Sequence, residues 1–355
     1  MKMPKISSDF CLSLDLAKRS AEASIAPMDA AQKDWRTFLT HSIEAEPESP
    51  AAIADLLAWL ASVTSRGAQC RRIVVEATSN ISKRFARALT AARKNLPRVT
   101  IVNPARAKAY LISLGVRDKT DKVDAAGLAL YGARCDFAAP PEPNPAQEKL
   151  CELSRLRQAA VEDRTMWKNR RGEACDAMVR KHVERAIADG DRRVEEIERD
   201  IRQVLKADAT LGQQVKWLIR IQGIGFVTAV ALTGELGDLS AYSRAKIVAA
   251  AGLFPKAYGS GTSVRRRPRL AKGGGSHVRR ALGMGAKSLL RSKSPLRAYI
   301  ARLVEAGKTK ACALGAAMRK LLLVARAVVM AGGNYRPEMI GREQPVAEKG
   351  DVKMT

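Results

Sequence analysis

Arg72-Ile73-Val74-Val75-Glu76-Ala77 is the stretch on which the fold turns. Consecutive β-branched residues suit a pleated, packed surface, so this run reads as the strongest strand of the chain, and it ends in a carboxylate. Working outward, a helix follows over 81–94, then a strand, Val99-Thr100-Ile101-Val102, closed by Asn103-Pro104. Helices cover 105–114 and 121–134. Upstream, Ile53, Leu56, Leu57 and Leu60 recur at helical spacing within 50–64. Phe10-Cys11-Leu12-Ser13-Leu14-Asp15-Leu16 is a short apolar strand whose charge comes near its end. Ala23-Ser24-Ile25-Ala26 pairs beside it, and Trp35-Arg36-Thr37-Phe38-Leu39 supplies a third strand. Strands alternating with helices over 1–140 predict an α/β domain.

The 355 residues, 46% of them hydrophobic, suffice for two or three domains with real cores. Four prolines in Pro140-Pro141-Glu142-Pro143-Asn144-Pro145 mark a stiff boundary. Over 141–215 the apolar positions Leu150, Leu153, Leu156 and Ala160, then Ile187, Val194, Ile197, Ile201 and Val204, recur three or four apart. They predict a helical hairpin or coiled coil, broken near Asp189-Gly190-Asp191, that pairs subunits or packs on its own chain. The region 216–340 opens with Leu218-Ile219-Arg220-Ile221-Gln222-Gly223-Ile224-Gly225-Phe226, a helix-hairpin-helix pattern. Its glycines let backbone N–H groups approach a phosphate. Residues 341–355 read as a flexible tail.

The net charge is +26, from 62 basic against 36 acidic residues, and it is unevenly spread. Residues 1–140 carry 21 basic and 14 acidic side chains, 141–215 carry 15 of each, and 216–355 carry 26 and 7. Between Asp238 and Glu305 there are 15 Lys or Arg and no acid. Such a segment repels itself unless a polyanion neutralises it, and nucleic acid is the economical partner because phosphate contacts release counterions. No apolar run reaches the length of a membrane span, and a Gly-rich basic segment lacks a clean amphipathic face, so no membrane partner is expected. Six cysteines and three histidines form no C-x-x-C pair or ligand cluster, which argues against zinc or disulfides and fits the cytosol.

Candidate chemistry lies in two places. Asp15 and Glu76 end strands, and Asp121 and Asp124 sit three apart on one helix face in Lys119-Thr120-Asp121-Lys122-Val123-Asp124-Ala125. Four carboxylates converging above an open α/β sheet repel one another unless divalent cations offset them, and hard oxygen ligands suit Mg²⁺ or Mn²⁺. In Tyr258-Gly259-Ser260-Gly261-Thr262-Ser263-Val264-Arg265-Arg266-Arg267 a serine lies between glycines beside three arginines. Ser260 is either a turn residue or a nucleophile toward a phosphodiester, with guanidinium groups stabilising the transition state. His277-Val278-Arg279-Arg280 with Tyr299 matches the short pattern of tyrosine recombinases, but that pattern leaves the four acids unexplained. Lys272-Gly273-Gly274-Gly275-Ser276 is not a P-loop, because no G-x-x-x-x-G-K-[ST] is present.

These motifs together resemble the DEDD transposases of insertion sequences, which are related to the Piv DNA invertases. Leu12-Ser13-Leu14-Asp15-Leu16-Ala17-Lys18 resembles the family's opening strand, and Val74-Val75-Glu76-Ala77-Thr78 its Glu-Ala-Thr strand. Val102-Asn103-Pro104 and Lys119-Thr120-Asp121-Lys122-Val123-Asp124-Ala125 match two further elements. Ile221-Gln222-Gly223-Ile224-Gly225, Ala251-Gly252-Leu253-Phe254-Pro255 and Ser260-Gly261-Thr262-Ser263-Val264-Arg265 are similar to its carboxy-terminal transposase domain. The resemblance implies an RNase H-like (RuvC-like) α/β first domain, a coiled-coil middle and a mainly α-helical last domain. It implies that Asp15, Glu76, Asp121 and Asp124 hold Mg²⁺ (or Mn²⁺) and that Ser260 forms a covalent phosphoserine link to DNA. It further implies donor and target DNA as partners, a noncoding guide (bridge) RNA, and homodimers assembling into tetramers. The expected location is the bacterial cytoplasm, at the nucleoid when bound to DNA. Candidate nucleic-acid contacts are Lys119, Gly223, Gly225, Arg265, Arg266, Arg267, Arg269, Lys272, Arg279 and Arg280. A junction-resolving metal nuclease using water, and a non-catalytic nucleic-acid binder, are the alternative readings.

Overall fold

The run at 72–77 lies in the middle of a sheet. In the computed structural model Cys70–Glu76 forms β4, with Ile73, Val74 and Val75 fully buried. The structure describes residues 5–78, 80–93, 95–115, 120–137, 144–260, 264–271, 274–292 and 294–336, with backbone alone at 32–34, 257–260 and 264–269. The chain divides into two compact units, Met1–Glu142 and Pro143–Thr355.

In the first unit β1 (Phe10–Leu16) pairs parallel with β4 and antiparallel with β2 (Ala21–Pro27). Next to β2 runs β3 (Leu39–Ile43), antiparallel, while β5 (Val99–Val102) pairs parallel with the far side of β4. The sheet order is β3-β2-β1-β4-β5. Four helices complete the unit: α1 (Pro50–Val63), α2 (Ile81–Ala92), α3 (Pro104–Ser113) and α4 (Asp121–Arg134). Alternation along β1 assigns the faces. Leu12, Leu14 and Leu16 pack with Ile53 and Leu56 of α1 and Phe85 of α2. Cys11, with Val74 and Val102, packs against Leu128 and Ala129 of α4. This mixed α/β unit is consistent with the expected RNase H-like domain.

One predicted strand is displaced. Residues 35–39 do not form a strand; Gln32–Thr37 is a 3₁₀ turn, and β3 begins at Leu39. Trp35 is buried there with Ala126 and Leu130 of α4, so its apolar side anchors a turn rather than a ladder.

The second unit is mostly helical. Two long helices, α5 (Pro145–Glu173) and α6 (Ala177–Ala207), form a hairpin packed on its own chain. The bend falls at Ala174-Cys175-Asp176, where Asp176 caps α6 by accepting from the Met178 and Val179 N–H groups. Asp189-Gly190-Asp191, expected as the break, lies inside α6. A Cβ on Gly190 would lie 3.2 Å from the Arg164 Cβ of α5, and Asp191 accepts from Arg164 Nη1 at 2.6 Å. The glycine thus serves close helix packing, not a turn.

Beyond the hairpin come α7 (Ala209–Leu218), α8 (Phe226–Leu236) and α9 (Arg244–Ala250). A two-stranded ribbon follows, β6 (Pro255–Ser260) with β7 (Val264–Leu270), then α10 (Ser276–Leu289), α11 (Pro295–Glu305) and α12 (Lys310–Met330). Leu218, Leu232, Leu282, Leu296 and Leu321 are among the residues of the shared core. Among the described residues no helix is long and apolar enough to cross a membrane.

Candidate active site

The four candidate acids are carried to one end and one face of the first unit's sheet. The ladder of β1 with β4 pairs Leu14 with Val75, so Asp15 and Glu76 are the next residues on two adjacent parallel strands. Asp15 shares its face with Cys11, and Glu76 with Val74, the face that α4 covers. Two contacts fix the direction of α4. Ser13 Oγ donates to the Ala125 carbonyl at 2.6 Å, and a Cβ on Gly132 would come within 2.4 Å of Cys11 Sγ and 2.7 Å of Val74 Cγ2. Rising numbers on α4 therefore meet falling numbers on β1. Asp124, next to Ala125, and Asp121, one turn earlier, are thereby carried toward the end of the sheet where Asp15 and Glu76 lie. Thr120 caps this turn by accepting from the Val123 N–H at 3.3 Å.

At the opposite end of α4, Arg72 donates to the carbonyls of Gly132 and Cys135, and its guanidinium lies 5.1 Å from the Phe137 ring centroid. Asp15, Glu76 and Asp124 are half-buried and Asp121 is exposed. Among the described residues no three His, Cys, Asp or Glu side chains are gathered closely enough to hold an ion.

Sequence inspection missed the residues that hold this arrangement. Ser13 is fully buried and also reaches the Ser24 carbonyl at 3.4 Å, and Arg72 closes α4. A buried acid, Glu22, pairs in register with Asp15. Its place in a hairpin register is the only signal, and register is invisible until the hairpin is known.

In the second unit Ser260 is the last residue of β6 and pairs with Val264, while Gly259 pairs with Arg265 and Tyr258 with Arg266. Arg267 and Arg269 continue β7. Lys119 and Lys272 lie outside the described residues. The glycines around Ser260 suggest a turn, because glycine is depleted from strands, yet Gly259 and Ser260 are paired within a ribbon. The turn between α7 and α8 holds two glycines with different duties. Gly223 has φ +92°, and a Cβ there would come within 2.7 Å of Leu289 Cδ1 on α10. Gly225 faces open space at the N-terminus of α8, which has no side-chain cap.

The start of α10 is tied to α5 and α8. His277 Nε2 lies 2.9 Å from Ser154 Oγ, Arg280 pairs with Glu162, and Arg155 grips Glu235 through two bonds of 2.7 Å. Arg279 donates to the Gly274 carbonyl at 2.9 Å and the Ala251 carbonyl at 3.2 Å. Burial holds His277 below the usual imidazole range despite the nearby Glu235 carboxylate. Burial pushes Glu235 up, but the Arg155 guanidinium outweighs it and leaves Glu235 below the usual carboxylate range. Tyr299 lies beneath Lys320 Nζ, 4.4 Å from its ring centroid, and Arg302. The H-x-x-R run and Tyr299 thus have packing partners of their own.

Comparison with known proteins covers both units. Residues 12–179 match the DEDD transposase profile of IS110 type, described as a transposase. Residues 215–301 match the profile described as "Transposase IS116/IS110/IS902 family". The chain is 32% identical over 261 residues to the pilin gene-inverting protein of Moraxella bovis, covering 72% of this chain and 79% of that protein. The chain belongs to the IS110 family of transposases. A second relative, the pilin gene-inverting protein of Moraxella lacunata, is 34% identical over 236 residues, 65% of this chain and 72% of its own length. An IS110-family transposase is a recombinase acting on DNA, and the basic second unit and the acid-bearing first unit are both parts of that enzyme.

Proposed function

We propose that this transposase moves an insertion sequence by a two-part mechanism in which Ser260 is the nucleophile and the acids of the first unit are its metal-holding partner. The observation that carries the reading is the register of Asp15, Glu76, Asp121 and Asp124 at one end of the sheet in a chain of this family. Asp15, Glu76, Asp121 and Asp124 would hold Mg²⁺ (or Mn²⁺), which supplies charge stabilisation to the phosphate under attack. Ser260 Oγ forms a bond to a DNA phosphorus while the bond from that phosphorus to one sugar oxygen breaks. The serine proton ends, net, on the departing sugar hydroxyl, and the phosphoserine ester conserves the bond energy for rejoining.

Arg265, Arg266, Arg267, Arg269 and Lys272 neutralise the backbone near the attacked phosphate, assisted by Lys119, Arg279 and Arg280. The N–H groups at Gly225 offer a further phosphate contact at the start of α8, with Gly223 shaping the turn. Donor and target DNA are chosen by a noncoding bridge RNA, whose backbone the 15 cations between Asp238 and Glu305 suit equally well. Dimers form through the α5–α6 hairpin, whose exposed Met166, Met178 and Val179 lie toward its bend. Dimers then join as tetramers, so that the acidic unit of one subunit serves the serine of another. Gene inversion by the Moraxella relatives is a rearrangement of the same kind, and the enzyme works on the nucleoid in the bacterial cytoplasm.

The test is a suicide substrate run on denaturing gels, with Mg²⁺, the flanking noncoding RNA and end-labelled element-junction DNA. A protease-sensitive DNA–protein band that needs Ser260, Asp121 and the RNA is the expected result. Cleavage without that band, unaffected by Ser260→Ala, would instead mean a metal nuclease that uses water.

A further inference from the structure

The first unit has a charge asymmetry of its own. Residues 1–75 carry nine basic and nine acidic side chains, whereas 77–117 carry nine Lys or Arg and no Asp or Glu. That basic stretch forms α2, the edge strand β5 and α3. The two helices bracket the edge from opposite faces of the sheet. Phe85 and Leu89 of α2 pack with Leu12 and Leu14, while Ala107 of α3 packs with Cys11, Val74 and Val102. Lys83, Arg84, Arg93, Arg106 and Lys108 are all exposed. Arg84 pairs with Glu48 at 2.9 Å. Among the described residues Lys83, Arg93, Arg106 and Lys108 have no acidic partner.

Topology puts part of this charge beside the acids. β1, β4 and β5 are parallel, Glu76 pairs with Val102, and the Ala77 N–H donates to the Val102 carbonyl at 3.1 Å. The three strands therefore finish at one end of the sheet, and α2 and α3 start from it. Lys83 stands in the first turn of α2 and Arg106 in the first turn of α3, with Lys108 in the next. Helix starts favour acids, so cations in both first turns oppose the helix dipole and cost stability in the free protein. A phosphate backbone reverses that cost. It also needs such cations to approach an end of the sheet that carries carboxylates.

We propose that α2, the β5 edge and α3 form a DNA-backbone surface of the first unit, in which Lys83, Arg106 and Lys108 hold phosphates of the strand that reaches the acids. A cluster of exposed cations with no acid among them is the footprint of a polyanion, and this family acts on DNA. The inference rests on the reading of the first unit as the place where the acids act on DNA, and not on their holding an ion. It gives the first unit backbone contacts separate from those of the basic second unit.

Lysine acetylation of the full chain with its flanking RNA, read by mass spectrometry before and after adding element-junction duplex DNA, tests this. Lys83 and Lys108 should lose most of their reactivity on adding DNA. Lys5, exposed ahead of β1 at the other end of the sheet, should keep its own. The pair Lys83→Ala, Arg106→Ala should make the plot of log DNA affinity against log salt shallower by about 1–2, with Lys83→Arg, Arg106→Lys restoring it. Lys83 and Lys108 equally reactive with and without DNA would overturn the inference, as would their being blocked already by the RNA alone. Lost cleavage in Asp121→Asn without that protection overturns this surface and leaves the role of the acids standing. Protection together with undiminished cleavage in Asp121→Asn supports the surface and removes the role of the acids. Should the double alanine variant fail to fold, protection of the wild-type chain still decides.

Discussion

The two units of this transposase handle charge by different means. In the first, acids are positioned by backbone: Asp15 and Glu76 by a parallel ladder, Asp121 and Asp124 by the first turn of a helix pinned through Ser13 and Gly132. In the second, charged side chains are positioned by one another: Arg155 with Glu235, Arg280 with Glu162, Arg164 with Asp191. A ladder decides which strand ends and which face carry the carboxylates. Side-chain pairs across helices hold the frame, Arg280 of the acid-free window among them. The difference separates acids placed by backbone register from cations placed by side-chain pairing.

Breaking that separation takes substitutions that act on one unit only. Asp121→Asn should lower strand cleavage by at least ~10³-fold, as expected of groups acting as one catalytic unit, while DNA affinity changes little. Gel-shift and cleavage assays on one preparation check this, and parallel loss of both would collapse the distinction. The triple change Arg265→Ala, Arg266→Ala, Arg267→Ala should do the reverse. Its plot of log affinity against log salt should be shallower by about 2–3, because about 0.9 counterions are released per phosphate contact. An unchanged slope would remove β7 from the binding surface.

Two glycines sharpen the comparison at the level of stability. Gly132→Ala adds a methyl group against Cys11 and Val74 in a face with no room, and should cost about 1–3 kcal/mol although alanine favours helices. Gly172→Ala, near the end of α5, meets nothing within 4 Å and should gain about 0.5–1 kcal/mol. Urea unfolding of both variants tests the pair, and equal signs would refute the account of α4 packing.

The smallest effect is expected from pH, and it belongs to the second unit. His277 is held below its ordinary value of 6.5, so the unfolded chain binds its proton more readily. Its contribution is fully present above about pH 6.5 and is lost as pH falls toward the folded value. Glu235 repeats this at lower pH, below its ordinary 4.5. Thermal melts from about pH 7 to about pH 5 should show a decline that His277→Gln flattens.

Much of this was legible in the residues. The helix 121–134 and the strand 99–102 fall where composition and spacing put them, because caps and β-branched runs are local signals. Trp35 misled, since an apolar residue signals burial but not the conformation in which it is buried. Gly190 misled in the same way: glycine marks a turn or a close approach, and only the neighbour Arg164 distinguishes them. Glu22 gave no signal at all, because one acid among polar residues looks solvated until its cross-strand partners are known.

By itself the sequence determined an α/β first half, a helical second half, the acids worth watching and the polyanion that the cations require. Those follow from hydrophobic period, turn chemistry and net charge, which are sums over near neighbours. The tertiary structure alone decided that α4 runs antiparallel to β1, that Asp15 shares its face with Glu22, and that the serine closes a ribbon. Each of these depends on register between segments distant in the chain, and register is fixed only when the faces pack.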